Sequence, residues 1–150
     1  MAPEARKRLQ KGNDADGRLA PGDAIGTYQL VIDVARAIEV CVGRLGTFRF
    51  RPGRYVYTGS AKRNIEARVA RHLSAEKRLH WHIDYLLAAP GVTVVAVRRS
   101  RRCECGLNRG TRGTIPVPGF GASDCRAGCG GHLKWRRWSG RTTSGPAACG

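Results

Sequence analysis

The residues best suited to phosphate chemistry lie in one stretch, from Arg54 to Leu73. Its first half alternates aromatic and β-branched residues, which predicts a strand, and Gly59 and Ser60 interrupt that run. Beyond them, apolar residues recur every four positions, which predicts a helix with Arg68 and Arg71 beside its apolar face. Free backbone N–H groups and a helix N-terminus meet at such a turn, so a phosphate could bind there. An ordinary β-α unit with a solvated basic face is the alternative.

A second polar group lies between His80 and Asp84, in a segment that predicts a short helix ending at Pro90-Gly91. Two histidines separated by one residue share a face on a strand but point apart on a helix. We therefore interpret His80 and His82 as structural or substrate-contacting residues rather than as a metal-binding pair. His80 and Asp84 lie one helical turn apart and could form a pair in a cleft or a hydrogen bond within the helix.

Cysteine and histidine residues in the C-terminal third could supply a zinc site, because Zn²⁺ prefers thiolate and imidazole ligands. The candidate ligands are Cys103, Cys105, Cys125, Cys129 and His132. The Cys-x-Cys and Cys-x₃-Cys spacings differ from the usual Cys-x₂-Cys knuckle, and the candidates come from two separated segments. Small buried thiols are therefore the alternative interpretation.

The charge balance points to a polyanionic partner. The chain of 150 residues carries 27 lysines and arginines against 11 acidic residues, a formal net charge of +16. Nucleic acid is the simplest such partner, since phosphate neutralisation with counterion release drives binding, although arginine richness could also reflect coding bias. No apolar run approaches the roughly 20 residues that span a bilayer. The basic residues near the N-terminus are not followed by an apolar segment, so we expect no secretory signal. We therefore expect a cytoplasmic protein with reduced cysteines and no membrane partner.

The remaining pattern predicts one small α+β domain, residues 23–138. A basic flexible arm, residues 1–22, precedes it, and a disordered tail of small residues, 139–150, follows it. The predicted strands are Ile25–Val34, Ile38–Val42, Thr47–Phe50, Tyr55–Tyr57 and Val92–Val97. The second and third of these form a hairpin, and Cys103–Arg109 is a short helix weakened by Gly106. We expect the last strand and Trp81 to be largely buried.

Two short motifs resemble those of the GIY-YIG nuclease superfamily: Gly26-Thr27-Tyr28 and Tyr57-Thr58-Gly59. The segment Asn64–Val69 resembles the one that brings the superfamily's helix arginine to the site. Five further segments follow the order of its DUF123 branch: Gly43–Gly46, Tyr55–Ala61, Arg71–Leu73, His80–Leu86 and Gly119–Cys125. This similarity covers roughly Ile25 to Trp135, nearly the whole folded region.

The resemblance implies a small central antiparallel sheet flanked by helices, with an additional hairpin between the two motifs. It also implies a divalent-metal-dependent endonuclease that hydrolyses phosphodiester bonds in nucleic acid, and we expect DNA rather than RNA as the substrate. A nucleic-acid-binding module that has kept the fold without cleavage is the rival hypothesis. A zinc-stabilised adaptor is the third.

The resemblance also implies roles for individual residues. Tyr28 and Tyr57 are the motif tyrosines, Arg68 binds phosphate, and Glu104 is the carboxylate that holds Mg²⁺ or Mn²⁺. His72 lies one helical turn beyond Arg68, and we include it among the catalytic candidates. The expected substrate-binding residues are Gly59, Ser60, Lys62, Arg63, Arg71, His80 and His82.

The chain departs from the family's pattern at two points near the site. Ser60 occupies the position beside the second motif where many nuclease relatives carry lysine. The ending Cys125–His132 contains two more residues than the Cys-x-Cys-x-x-His typical of the branch. These departures leave the candidate catalytic residues in place and alter the residues around them.

Overall fold

A computed structural model describes residues 26–123 and 125–138. The predicted basic arm and the predicted C-terminal tail lie outside these residues. The described strands are β1 (Thr27–Val34), β2 (Ile38–Val42), β3 (Gly46–Phe50), β4 (Gly53–Ser60), β5 (Val92–Ser100) and β6 (Leu133–Arg136). The described helices are α1 (Ile65–Leu73), α2 (His82–Leu87) and α3 (Glu104–Arg109), with a 3₁₀ turn at Gly43–Leu45.

Four of the strands form a single antiparallel sheet in the order β5-β1-β4-β6, and β2 and β3 pair separately as a hairpin. The predicted α+β class and the predicted hairpin are therefore confirmed. Strand β1 is central and pairs along its full length with both neighbours. All but one of its eight residues are buried, as its continuously apolar Leu30–Ile32 segment predicts.

One face of this sheet carries the main hydrophobic core. Tyr28, Leu30, Ile32 and Val34 alternate along β1 and point to this face. The hairpin and the first two helices cover it with buried residues that belong to the same cluster: Val40, Val42, Phe50, Ile65, Val69, Ile83 and Leu86. The core thus packs the helices and the hairpin against the side of the sheet that carries the two motif tyrosines.

The predicted tight turn at Gly59-Ser60 is wrong, because β4 continues through both residues and pairs Ser60 with Thr27 of β1. The chain turns later, and helix α1 begins after Asn64. Asn64 has a left-handed backbone (φ 47°), and its side-chain oxygen accepts a hydrogen bond from the Ala67 N–H at 3.0 Å. Asparagine tolerates this conformation and caps helices well, so the turn and the helix start share one residue.

Three predictions about burial and helix boundaries are also wrong. Strand β5 lies at an edge of the sheet, so burial alternates along it, and within Val92–Val97 only Val97 is buried. Trp81 is half-buried rather than largely buried, and it precedes helix α2 together with His80. Helix α2 begins late because the Asp84 carboxylate accepts hydrogen bonds from the His80 and Trp81 backbone N–H groups, which fixes the helix start.

Among the described residues, no helix is long and apolar enough to cross a bilayer.

Candidate active site

The two motif tyrosines lie side by side on the core face of the sheet. The register of β1 and β4 pairs Tyr28 with Gly59 and Leu30 with Tyr57, so both tyrosine side chains project from the same face. Their ring centroids are 6.3 Å apart, within the range of favourable aromatic contacts. Tyr28 is 1 % exposed and Tyr57 is 8 % exposed. Both rings therefore form the inner wall of the site.

The glycine of the second motif makes room for the tyrosine of the first. A Cβ atom on Gly59 would lie 2.7 Å from the Tyr28 hydroxyl oxygen and 2.8 Å from the ring carbon that bears it. Real side chains do not approach so closely, so the position requires glycine because of space. The backbone of Gly59 within β4 thus sets how deeply Tyr28 can enter the site.

Helix α1 brings His72 against the first tyrosine. The Tyr28 hydroxyl lies 2.7 Å from His72 Nε2, and the His72 ring also contacts the Tyr57 ring edge-on at 6.2 Å. Burial lowers the pKa of His72 to about 4, so the ring is neutral at pH 7. Its other nitrogen, Nδ1, faces the Asp84 carboxylate at 3.8 Å. This charge favours the proton on Nδ1, so the Tyr28 hydroxyl donates to Nε2.

Burial also determines the protonation state of the two tyrosine hydroxyl groups. It raises the pKa of Tyr28 and of Tyr57 above the ordinary tyrosine value, and Arg68 opposes part of the shift in both residues. Both phenols are therefore protonated at neutral pH. The Tyr28 hydroxyl donates a hydrogen bond to His72, and hydrogen bonds with Arg68 and Tyr57 also act on its oxygen and lower its pKa in part.

Arg68 lies at the mouth of the site, half-buried between helix α1 and the end of β4. Its Nη1 donates to the Ser60 carbonyl oxygen at 2.9 Å, and its guanidinium lies 4.4 Å from the Trp81 ring centroid. Stacking on an aromatic face holds a guanidinium plane while leaving N–H donors available. Arg68 can thus bind an anion without leaving its position.

Arg71, an expected substrate-binding residue, has a structural partner instead. Its guanidinium donates to both oxygens of the fully buried Asp84 carboxylate at 3.0 Å each. Burial raises the pKa of Asp84, but the hydrogen bonds from Arg71 and from the Trp81 and His80 backbones outweigh it, so the pKa is lowered. The Asp84 carboxylate therefore joins helix α1 to helix α2. The expected pairing of the His80 side chain with Asp84 is replaced by a backbone contact.

Glu104 reaches the same end of the sheet from helix α3. The Ser60 hydroxyl donates to its Oε1 at 2.5 Å, and His132 Nδ1 lies 2.6 Å from its Oε2. Burial raises the pKa of Glu104, but the hydrogen bonds from His132 and Ser60 prevail and lower it. The side chain is 26 % exposed. Glu104 is thus an ionised carboxylate that is held at both oxygens and open to solvent on one side.

The remaining expected substrate-binding residues divide between the surface and the fold. Lys62 and Arg63 are exposed in the turn before helix α1, and His80 is exposed before α2. His82 Nδ1 accepts a hydrogen bond from the Gly121 backbone N–H at 2.9 Å. Lys62 and Arg63 can therefore contact a substrate, whereas His82 fixes a loop.

A cluster of cysteine and histidine side chains lies next to Glu104. Ligand atoms of Cys105, Cys125, Cys129 and His132 all lie within 4.8 Å of one another, so these residues could hold a metal ion. Cys103 lies outside the cluster, because its thiol caps helix α3 and accepts from the Gly106 backbone N–H. We refer to these four residues as the Cys₃His cluster.

Glu104 could hold a divalent ion such as Mg²⁺ only if water molecules supplied most of the ion's ligands. Each carboxylate oxygen keeps a free lone pair beside its hydrogen bond, and Mg²⁺ is often held by one or two carboxylates with waters completing its shell. The other acidic groups beside the described site, Glu66 and Asp84, are paired with Arg99 and Arg71. Glu104 would therefore hold such an ion by itself.

The sequence agrees with one known family over most of its length. A family model described as "Domain of unknown function DUF123" matches residues 27–144. The chain belongs to this family. No curated protein and no solved structure matches the chain.

The DUF123 domain carries a second basic feature on the opposite face of its sheet. A cavity of about 280 Å³ has Gln29 and Val56 in its floor, and four arginines line it: Arg98, Arg102, Arg112 and Arg136. Within residues 26–123 and 125–138, none of these four arginines forms an ion pair with a carboxylate. The cavity is therefore electropositive and lies away from the tyrosines.

Three features of the DUF123 domain were missed by the sequence interpretation. These are the Arg71–Asp84 pair, the contact of His132 with Glu104, and the arginine-lined cavity. The first could have been found from the position of Asp84 three residues after Trp81, where a helix-capping carboxylate is typical. The other two join residues that are far apart in sequence, and no local pattern identifies them.

Proposed function

We propose that this DUF123 domain is a GIY-YIG-like endonuclease that hydrolyses phosphodiester bonds in nucleic acid, and we expect DNA rather than RNA as the substrate. One observation carries the proposal: strands β1 and β4 and helices α1 and α3 bring five candidate residues to one end of the sheet, namely Tyr28, Tyr57, Arg68, His72 and Glu104. An arginine, a hydrogen-bonded tyrosine and an ionised carboxylate are the groups that phosphodiester hydrolysis needs. The net charge of +16 supports a polyanionic substrate.

The accessible part of the site would bind the phosphate. Arg68 is stacked on Trp81 and retains donors that can stabilise the negative charge developing on the phosphoryl oxygens. Lys62 and Arg63, exposed in the preceding turn, would contact neighbouring phosphates. Arg71 would have a structural role only, because its guanidinium is hydrogen-bonded to the Asp84 carboxylate.

The tyrosine–histidine pair would orient the attacking water. Tyr28, held by its hydrogen bond to neutral His72, would accept a hydrogen bond from the water and direct it towards phosphorus. The raised pKa of Tyr28 makes a phenolate unsuitable as the base at neutral pH. In the reaction the water oxygen bonds to phosphorus, the bond to the leaving oxygen breaks, and solvent accepts one proton and returns one to the leaving group.

A divalent ion would complete this chemistry. Glu104 would hold Mg²⁺ or Mn²⁺, which supplies Lewis acidity at the phosphoryl oxygen and makes water easier to deprotonate. The Cys₃His cluster suits a different ion, because thiolates select zinc over magnesium. We propose that the hard ion belongs to Glu104 and zinc to the cluster.

A nuclease assay tests the main proposal. Single-stranded, duplex and branched DNA and RNA are incubated with Mg²⁺, Mn²⁺ or chelator, and cleavage is followed on gels. We expect metal-dependent nicking that Arg68→Ala and Glu104→Ala each reduce by 10²-fold or more, about 2.7 kcal/mol of transition-state stabilisation. Arg44→Ala, an exposed arginine on the 3₁₀ turn, is the matched control. Cleavage that survives in Glu104→Ala would contradict the assigned role of this carboxylate.

Nucleic-acid binding without cleavage is the second candidate function. Two observations favour it: Tyr28 is 1 % exposed, and both oxygens of Glu104 already accept hydrogen bonds. The arginine-lined cavity on the other face offers a binding surface that does not involve the tyrosines. Salt-dependent binding with no metal-dependent nicking on any of the substrates would establish this function instead.

A further inference from the structure

We propose that a zinc ion bound by the Cys₃His cluster fixes the Glu104 carboxylate in place through the His132 ring. The zinc site and its contact with Glu104 are inferred from the geometry of the cluster. Only the catalytic use of Glu104 rests on the proposed nuclease function. Zinc measurements without nucleic acid therefore test both the site and its contact with Glu104.

The distances within the cluster agree with tetrahedral zinc. Zn–S bonds of about 2.3 Å and Zn–N bonds of about 2.0 Å place two sulfurs about 3.8 Å apart, and a sulfur and a nitrogen about 3.5 Å apart. Cys105 Sγ and Cys125 Sγ are 3.7 Å apart, and Cys105 Sγ and His132 Nε2 are 3.9 Å apart. Three cysteines and one histidine form a common closed ligand set for structural zinc.

The surrounding backbone holds the ligands in this arrangement. Cys105 lies on helix α3, whereas the other three ligands lie in the irregular segment before β6. That segment is tied down on both sides: the Asn108 side chain donates to the Gly131 carbonyl at 2.9 Å, and the His132 N–H donates to the Phe120 carbonyl at 2.8 Å. A metal ion would join helix α3 to this segment where regular secondary structure is absent.

The His132 ring connects the cluster to the carboxylate. Its Nε2 faces the thiols, and its Nδ1 lies 2.6 Å from Glu104 Oε2. A metal ion on Nε2 leaves the ring proton on Nδ1, so His132 becomes an obligatory donor to the carboxylate. Carboxylates in this position orient a ligating histidine and raise its basicity. Glu104 is also the chain neighbour of the ligand Cys105, so the ion would hold it through two routes.

Zinc content tests the site. The full chain is purified under reducing conditions and reconstituted with zinc, and bound metal is measured by atomic emission after gel filtration. We expect one zinc per chain, and loss of that zinc in Cys125→Ser and Cys129→Ser. Cys41→Ser and Cys103→Ser are the matched controls, because both cysteines are exposed and outside the cluster. Wild-type protein without zinc, or full zinc retention in Cys129→Ser, would overturn the site.

Zinc affinity tests the connection to Glu104. Competition with a chromophoric chelator gives the affinity of wild type and of Glu104→Gln, which keeps the shape and removes the charge. Loss of such an outer partner typically weakens metal binding by about 10–100-fold, and we expect a change of this size. Glu39→Gln, on the hairpin, should match wild type. Equal affinity of Glu104→Gln and wild type would refute the coupling, whatever the nuclease assay shows.

Discussion

At the residue scale, Gly59 packs tightly against Tyr28. A Cβ atom there would meet the Tyr28 hydroxyl at 2.7 Å and the Tyr57 ring at 3.0 Å. Both rings are buried, so neither can move away without disturbing the core. The glycine of the motif is therefore explained by the depth of its tyrosine neighbour.

We predict that Gly59→Ala destabilises the domain by about 1–3 kcal/mol, the usual cost of overpacking. Urea unfolding followed by tryptophan fluorescence measures the change. Gly26→Ala is the matched control, since its Cβ would meet only the Ala61 carbonyl oxygen at 3.9 Å. Equal stability of the two variants would show that the Tyr28 ring is not held as described.

The buried histidine gives a pH dependence of stability. The pKa of His72 falls from 6.5 to about 4 on folding because of burial. Between these two values the unfolded chain binds a proton that the folded chain does not, so stability declines as the pH falls from about 6.5 to about 4. The contribution is fully present above pH 6.5 and amounts to about 3 kcal/mol for a shift of this size.

NMR titration of the histidine ring signals measures this directly. We expect the His72 signal to titrate near pH 4. An ordinary pKa for His72 would mean that the ring is solvated and that Tyr28 does not donate to it as described.

At the scale of elements, one carboxylate joins helix α1 to the start of helix α2. Asp84 accepts two hydrogen bonds from Arg71 on helix α1 and two from the backbone that precedes helix α2, and it faces His72. The side chain is fully buried, so its removal would leave the Arg71 charge and two N–H groups without their partner. The position of His72 against Tyr28 therefore depends on a residue outside both motifs.

We predict that Asp84→Ala destabilises the domain by about 3–5 kcal/mol, as expected for breaking a buried pair. Asp33→Ala is the control, since it also removes a bidentate partner of an arginine, Arg54. That pair is 37 % and 26 % exposed at its two side chains, so its loss should cost no more than about 1 kcal/mol. Chemical denaturation of both variants separates the two cases, and similar losses would contradict the structural role of Asp84.

At the scale of the whole molecule, positive charge lies on both faces of the sheet. Arg68, Lys62 and Arg63 lie at the tyrosine site, and the arginine-lined cavity lies behind it. Cations spread in this way give binding that depends on many weak phosphate contacts. Loss of one arginine should therefore weaken binding less than it weakens cleavage.

We predict strongly salt-dependent affinity for nucleic acid, with log K falling by about 0.9 per contacted phosphate against log of salt concentration on duplex DNA. Fluorescence anisotropy over a salt series measures the slope. The double variant Arg102→Ala, Arg136→Ala should have a smaller slope if the cavity binds the phosphate backbone of the nucleic acid. The double variant Arg44→Ala, Arg49→Ala removes the same charge elsewhere and is the control. A salt-independent affinity would exclude an electrostatic interface.

The sequence by itself determined the secondary structure that builds the domain. Alternation in β1 and the hairpin, and the four-residue period of Ile65, Val69 and Leu73, are local signals, so they predicted these elements near their true bounds. The motif order also indicated the DUF123 family, which the family match confirms. The predictions from the sequence were wrong where tertiary contacts override local preference. Gly59 remains in a strand, and hydrogen bonds to Asp84 delay the start of helix α2.

Only the tertiary structure decided which polar groups meet. Arg68 and Arg71 are both arginines on helix α1, and the sequence does not distinguish them. Asp84 pairs with Arg71, whereas Arg68 lies at the mouth of the site. Cys105 and His132 are separated by 26 residues in the sequence, and the fold alone places them beside each other and beside Glu104. Hydrogen bonds and metal ligation act over about 2–4 Å, whereas periodicity records only which face a residue occupies. Contacts of that range between distant segments are therefore set by packing.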